Sequence, residues 1–126
     1  MSAPTQSHHD VSPFVPLPPA PLHIVLALNR GERHGYALMS DVQDLSDGLI
    51  KMGPGTLYGS IKKLRAQGLI EETEGRVDPE LDDQRRRYYR LTGLGQAVCD
   101  AEIQRLATLV ERSRAPGPGR LLGGLT

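Results

Sequence analysis

Side chains that could bind a polyanion are concentrated in residues 53–70, GPGTLYGSIKKLRAQGLI, a stretch that contains no acid. After the turn-forming Gly-Pro-Gly, Leu57, Ile61 and Leu64 recur at helical spacing and predict the buried stripe of a helix. The other side of this helix carries ammonium, guanidinium and hydroxyl groups, which belong to Thr56, Tyr58, Ser60, Lys62, Lys63 and Arg65. Such groups contact the phosphates of a nucleic-acid backbone.

The outward direction of each side chain follows from a rotation of about 100° per residue around the helix axis. With Leu57 at the centre of the buried face, the residues that point most directly outward are Gly59, Lys62, Lys63 and Ala66. The lysines suit phosphates or guanine edges, and the small residues would let the helix backbone approach the bases. Gly55 or Thr56 is expected to cap the helix. Thr56 and Tyr58 fall in the predicted first turn, where free N–H groups favour a phosphate.

A second basic cluster, RRRYYR, occupies residues 85–90 and is interpreted as part of a strand. Arg85 and Arg87 point to one side of this strand, and Arg86 points to the other. Two basic clusters on neighbouring elements favour DNA binding over an ordinary solvated helix face. Between them, residues 71–83 hold seven acids and one base, so phosphate should repel this loop. Either the loop points away from the duplex, or only the base of the strand pair contacts DNA.

The composition gives no support for a metal, a cofactor or catalysis. The 126 residues include four histidines and a single cysteine, Cys99, without a Cys/His cluster at metal-ligand spacing. No Ser/His/Asp set is recognisable, and Asp41, Asp44 and Asp47 are interpreted as a solvated helix face. Fifteen bases balance fifteen acids, so only the local distribution of charge supports nucleic-acid binding.

The chain is expected to be cytoplasmic and to have no contact with a membrane. Its N-terminus lacks the basic residues and the long apolar run of a signal peptide. No apolar run approaches the roughly 18 residues of a membrane span.

The elements that position the basic side chains follow in the order helix, helix, helix, strand, strand, helix. The predicted helices cover residues 21–31, residues 34–45, and the stretch that follows the Gly-Pro-Gly turn of residues 53–55 and ends at Gly68. The strands cover residues 69–78 and 85–92, and Thr92 caps a last helix over residues 93–113. This order predicts a mainly α winged helix-turn-helix with a small β-hairpin as the wing. In such a unit the third helix lies in the DNA major groove.

Four segments are predicted along the chain. Residues 1–20 form a proline-rich arm that is flexible or lies on a partner subunit. Residues 21–92 form the DNA-binding domain, residues 93–114 the dimerisation helix, and residues 115–126 a flexible tail.

The last helix carries an apolar stripe that is predicted to pair with a second copy of the chain. A small three-helix core can cover the start of this helix but not its far end, several turns on. The predicted dimer interface comprises Leu22, Val25, Cys99, Ile103, Leu106, Ala107 and Val110. The alternative is that the helix folds back along its own first helix, against Val25 and Leu28.

Three stretches resemble the PadR family of bacterial transcriptional regulators: GTLYGSIKKLRAQGLI, RRRYYRLTGLGQ, and HGYAL at residues 34–38. The resemblance spans roughly residues 22–110. It implies a winged-helix dimer, joined largely through the last helix, that represses transcription from an inverted-repeat operator and responds to a small-molecule effector.

Carried over to this chain, the resemblance implies DNA-binding roles for Thr56, Tyr58, Lys62, Lys63, Arg85, Arg86 and Arg87. The predicted DNA-binding residues further include Tyr36, Gly55, Gly59 and Ser60. The sequence departs from the family at Gly59, where a proline is frequent, and in its acidic wing loop. A winged-helix module that binds proteins and has lost specific DNA binding is the alternative. Salt-dependent binding to duplex DNA distinguishes the two.

Overall fold

The computed structural model describes residues 9–73 and 87–117. Four helices and three short strands follow each other in these residues: α1 (Pro19–Leu28), β1 (Arg33–His34), α2 (Gly35–Leu45), α3 (Pro54–Ala66), β2 (Ile70–Thr73), β3 (Tyr88–Leu91) and α4 (Gly93–Arg114). The predicted order of elements is confirmed, with β1 as an addition. None of the helices in the described ranges is both long and apolar enough to cross a membrane.

The ends of the helices follow from local chemistry. Thr92 caps α4 as predicted, because its Oγ1 accepts a hydrogen bond from the Gly95 N–H at 3.0 Å. The predicted cap of α3 is wrong: Gly53 is the N-cap and Pro54 the first helical residue. The fixed φ of proline suits this position, where its missing N–H costs nothing.

The wing is part of a three-stranded antiparallel sheet in the order β1-β3-β2. Arg33 of β1 and Glu72 of β2 both lie opposite Tyr89 of β3. The predicted two-stranded hairpin is therefore extended by β1. Two residues are too few to show the alternation from which a strand is recognised in a sequence.

The core lies among α1, α2 and α3, and the first half of α4 packs against α1 and the sheet. The fully buried side chains of the core come from all four helices and from the turn after α3, and include Ile24, Leu38, Leu57, Leu69 and Val98. Tyr89 enters this core from the sheet.

The apolar stripe of α4 divides into a buried and an exposed part. Cys99 and Val25 are fully buried in the core of their own protomer, with the Cys99 Sγ 3.9 Å from the Val25 carbonyl oxygen. The prediction that Cys99 and Val25 form part of a dimer interface is wrong. The first part of α4 instead packs against α1 of the same protomer, which was the alternative. Burial, together with the nearby Asp100 and Glu102 carboxylates, raises the pKa of the Cys99 thiol to about 11.

Beyond Glu102 the core no longer covers α4. Ile103 is 41% exposed, Leu109 56% and Val110 47%. Leu106 is half-buried and Ala107 is exposed. We call Ile103, Leu106, Leu109 and Val110 the α4 stripe. Leu109 was not part of the predicted interface.

The described part of the N-terminal arm packs against the core. Leu17 is buried, and Val11, Phe14 and Val15 are partly buried against the same cluster. The Leu17 N–H donates a hydrogen bond to Glu102 Oε2 at 2.8 Å. A packed segment thus replaces the predicted flexible arm from residue 9 onward. The rest of that arm, residues 1–8, and the predicted tail from residue 118 lie outside the described residues.

Glu102 is a charged residue of α4, but it is fully buried. Its Oε1 also accepts a hydrogen bond from the Arg105 Nε at 2.6 Å. Burial acts to raise the pKa of Glu102, but the hydrogen bonds from Arg105 and from the Leu17 N–H outweigh it and hold this pKa below its ordinary value. The carboxylate is therefore charged inside the protein and joins the arm to α4.

Candidate nucleic-acid interface

The two faces of α3 are those that its sequence predicts. Leu57, Ile61 and Leu64 are buried in the core. The residues with exposed positions on the other side are Gly55, Thr56, Gly59, Lys62, Lys63, Arg65 and Ala66. Ser60 is half-buried at the edge of this face. We call the exposed residues the α3 face.

The start of α3 is suited to an anion. The first helical hydrogen bond runs from the Leu57 N–H to the Gly53 carbonyl oxygen at 3.0 Å, and no side chain caps the helix. The N–H groups of Gly55 and Thr56 precede this bond, and both residues are exposed. Uncapped N–H groups and the helix dipole together favour a phosphate at this end.

Tyr58 lies in the second turn of α3 rather than in its first, so its predicted place among the uncapped N–H groups is wrong. The ring of Tyr58 lies against Gly35 at the start of α2. A Cβ at Gly35 would be 2.7 Å from the Tyr58 hydroxyl oxygen, so only glycine leaves room for the ring. Tyr58 therefore joins the α3 face to the start of α2.

The start of α2 adds exposed groups beside Tyr58. Tyr36 is exposed there. The preceding residue, His34, caps the helix, since its Nδ1 accepts a hydrogen bond from the Ala37 N–H at 3.2 Å. The His34 ring also makes an edge contact with Tyr88 of β3, with centroids 5.3 Å apart. The start of α2 is thus connected to α3 by Tyr58 and to β3 by the contact between His34 and Tyr88.

Lys62 and Lys63 carry charges that no described carboxylate neutralises. In residues 9–73 and 87–117, the ion pairs are formed by Arg33, Arg65, Arg87, Arg90 and Arg105. The two lysines are exposed and form none of these pairs. They are the cations of the α3 face that an incoming phosphate would meet first.

Glu72 of β2 is a charged residue next to the α3 face that the sequence analysis did not single out. Its Oε1 lies 3.3 Å from the Arg65 Nη1, and its Oε2 lies 3.6 Å from the Arg87 Nε. Of the three predicted wing arginines, Arg87 is thus exposed but paired. Arg85 and Arg86 lie outside the described residues.

The acidic and histidine side chains in the part of the chain that the structure describes do not gather into a metal site. No group of three His, Cys, Asp or Glu side chains there could hold a metal ion. Arg33 donates two hydrogen bonds to the Asp41 carboxylate, at 2.7 and 3.0 Å, and this ion pair connects β1 to α2.

The sequence of this chain is similar to the sequences of known proteins. The model of the transcriptional regulator PadR-like family matches residues 24–101. The transcriptional regulator Rv3488 of Mycobacterium tuberculosis is 36% identical over 88 residues, which cover 70% of this chain and 76% of that protein. A 37.1 kDa protein in transposon TN4556 of Streptomyces fradiae is 30% identical over 93 residues, 74% of this chain but only 24% of that protein.

The fold is shared with solved structures of this family. Bacillus subtilis PadR in complex with operator DNA superposes with a TM-score of 0.57 at 22% identity, over 70% of this chain and 47% of that one. The four helices and the three-stranded sheet therefore form a winged helix-turn-helix. Because the family model matches residues 24–101, which include most of the fold, this chain belongs to the PadR-like family of transcriptional regulators.

Proposed function

We propose that this protein is a homodimeric repressor that binds an inverted-repeat operator through the α3 face and is released by a small-molecule effector. The observation that carries DNA binding is the α3 face itself, on which Lys62 and Lys63 are exposed without a described ionic partner. Repression and release by an effector rest on family membership.

The shape and charge of the α3 face support insertion into the major groove. A helix fits the roughly 12 Å width of this groove, and lysines can bind guanine edges or phosphates there. The exposed Gly59 and Ala66 place no bulky side chain between the helix backbone and the bases. The uncapped first turn supplies N–H groups for a backbone phosphate.

The α4 stripe supports the dimer. An apolar stripe that extends beyond its own core normally has a partner, and the simplest partner is the same stripe in a second copy. Two copies of α3 related by a twofold axis would read half-sites about 34–36 Å apart, which is one turn of DNA.

The operator can be found by enriching genomic fragments on the purified protein and sequencing them. Binding of the enriched fragment is then measured over a range of salt concentrations. A protein that neutralises phosphates loses affinity steeply as the salt concentration rises. Absence of any salt-dependent duplex binding would favour the protein-binding module instead.

Replacing Lys62 and Lys63 by alanine should weaken operator binding while the fold is kept. Each lost phosphate contact should lower the salt slope by about one, and a lost guanine contact should cost about 1–3 kcal/mol of binding free energy. A mobility-shift titration measures the affinity. The matched control is Arg30→Ala with Arg112→Ala, which removes two exposed charges at the ends of α1 and α4. Equal weakening by both double variants would mean that net charge alone matters.

Replacing Gly59 by alanine should stabilise the fold and yet weaken binding to the operator. A Cβ at this position meets nothing within 4 Å in the free protein. Alanine should therefore raise the free energy of unfolding by about 0.5–1 kcal/mol through its helix propensity. On DNA, the added methyl group would lie between the helix backbone and the base edges. Thermal melting and mobility shifts measure the two effects, and an unchanged operator affinity would show that the backbone does not approach the bases at Gly59.

A further inference from the structure

One carboxylate connects α3 to both strands of the wing. Glu72 lies between Arg65 of α3 and Arg87 just before β3, at 3.3 and 3.6 Å. We call these three residues the Glu72 cluster. All three side chains are partly exposed to solvent. Glu71, the residue before Glu72 in β2, forms an ion pair with Arg90 instead, at 2.8 Å.

The Glu72 cluster lies at the edge of an open groove between α3 and β2. The groove has a volume of about 540 Å³ and is lined by Lys62, Arg65, Ala66, Ile70, Glu71 and Glu72. Its lining holds two bases, Lys62 and Arg65, and two acids, so that Lys62 belongs both to this groove and to the α3 face. A DNA backbone that passes from the major groove toward the wing would cross this neutral region.

We propose that Glu72 lowers the affinity for non-operator DNA by holding Arg65 and Arg87 in ion pairs that a phosphate must displace. This inference rests on the proposed binding of DNA through the α3 face. Without the carboxylate, both guanidinium groups would lose an ionic partner and would gain more from contact with any duplex, since phosphates are the same in every sequence.

The competition is possible because the pairs are weak. Exposed ion pairs at such distances contribute little to stability, and their partners exchange readily with ions of the solvent. A phosphate next to Arg65 or Arg87 would nevertheless lie within a few ångströms of the Glu72 carboxylate and be repelled by it. Glu72 therefore lowers the gain from each new phosphate contact.

The effect should fall mainly on non-operator DNA. Non-specific binding depends essentially on phosphate contacts, whereas operator binding also includes contacts with bases. The proposed base contacts come from Lys62 and Lys63, neither of which is paired with Glu72. Glu72 is in this sense a specificity-determining residue that touches no base.

The test is binding of the full chain and its Glu72→Gln variant to a labelled duplex of random sequence and to the operator. We expect the variant to bind the random duplex more tightly and with a salt slope steeper by about two. The ratio of the variant's affinity for the random duplex to that of the unmodified protein should fall about tenfold between 50 and 200 mM salt. The ratio of operator to random affinity should decrease.

Two further variants identify the cause. Glu71→Gln removes the same charge from the neighbouring residue, whose partner is Arg90, and should have a smaller effect. In a chain that already carries Arg65→Gln and Arg87→Gln, Glu72→Gln should lose its effect. An equal effect of Glu71→Gln, a persisting effect without the two arginines, or weaker binding by Glu72→Gln would each overturn the inference. Failure of the unmodified protein to bind any duplex would instead reject the proposed function.

Discussion

Replacing Ile103 and Val110 by glutamate is expected to give a folded monomer whose operator affinity is lower by about 10²–10⁴-fold. Both side chains lie on the α4 stripe and are 41% and 47% exposed in the protomer, so charges there leave its core intact. In a dimer the same positions would bury two carboxylates on each side without partners. A monomer holds one half-site at a time and loses the high effective concentration of the second DNA-binding unit. Light scattering and a mobility-shift titration measure the two effects.

The matched control places the same charges on the other side of α4. Gln104→Glu with Thr108→Glu replaces two polar side chains that are hydrogen-bonded to each other at 3.1 Å. This variant should remain dimeric and bind the operator normally. If the Ile103 and Val110 variant also remains a dimer, the interface is formed by another surface and the role assigned to the α4 stripe is wrong.

Replacing Gly95 by alanine is expected to destabilise the protein by about 3 kcal/mol or more. A Cβ at Gly95 would lie within 1.8 Å of the Leu69 carbonyl oxygen and 2.8 Å of its carbonyl carbon. Because these are backbone atoms, the start of α4 would have to move away from the turn after α3. That movement would break two hydrogen bonds from Thr92 to this turn. The Thr92 N–H donates to the Leu69 carbonyl oxygen at 3.0 Å, and the Thr92 hydroxyl donates to the Gly68 carbonyl oxygen at 2.6 Å. Overpacking alone costs about 1–3 kcal/mol, and the lost hydrogen bonds add to it.

Thermal and denaturant unfolding measure this loss, which is large beside a typical total of about 5–15 kcal/mol. The control is Gly93→Ala, two residues earlier in the same turn of α4. A Cβ at Gly93 would meet only the His9 Nε2 at 3.6 Å, an ordinary contact. Equal stability of the two variants would show that the close approach of α4 to Leu69 is absent in solution.

The sequence was sufficient to predict those features that depend on local period and local chemistry. The spacing of Leu57, Ile61 and Leu64 defines which side of α3 is buried, since a helix repeats every 3.6 residues. Thr92 caps α4 because a threonine oxygen can reach the N–H three residues later. The order of elements, and with it the winged helix, followed from such signals alone.

The features that the sequence analysis missed depend on the distances at which elements pack. A helical stripe shows which side of α4 is apolar but not how far the core extends along it, so Cys99 was assigned to the interface although it is buried. The burial of Glu102 could not be predicted, because its partner, the Leu17 N–H, is a backbone group that no side-chain pattern reveals. The pairing of Glu72 with Arg65 likewise depends on how β2 leaves α3.

The bond between Leu17 and Glu102 also determines an order of events during synthesis. It joins groups 85 residues apart in the chain, so the arm cannot be fixed by it until the first half of α4 has left the ribosome. A contact of such long range closes a large loop, whose entropic cost must be met by structure formed earlier. The arm is thus made before α4 but reaches its place only after the first half of α4 is available to receive it.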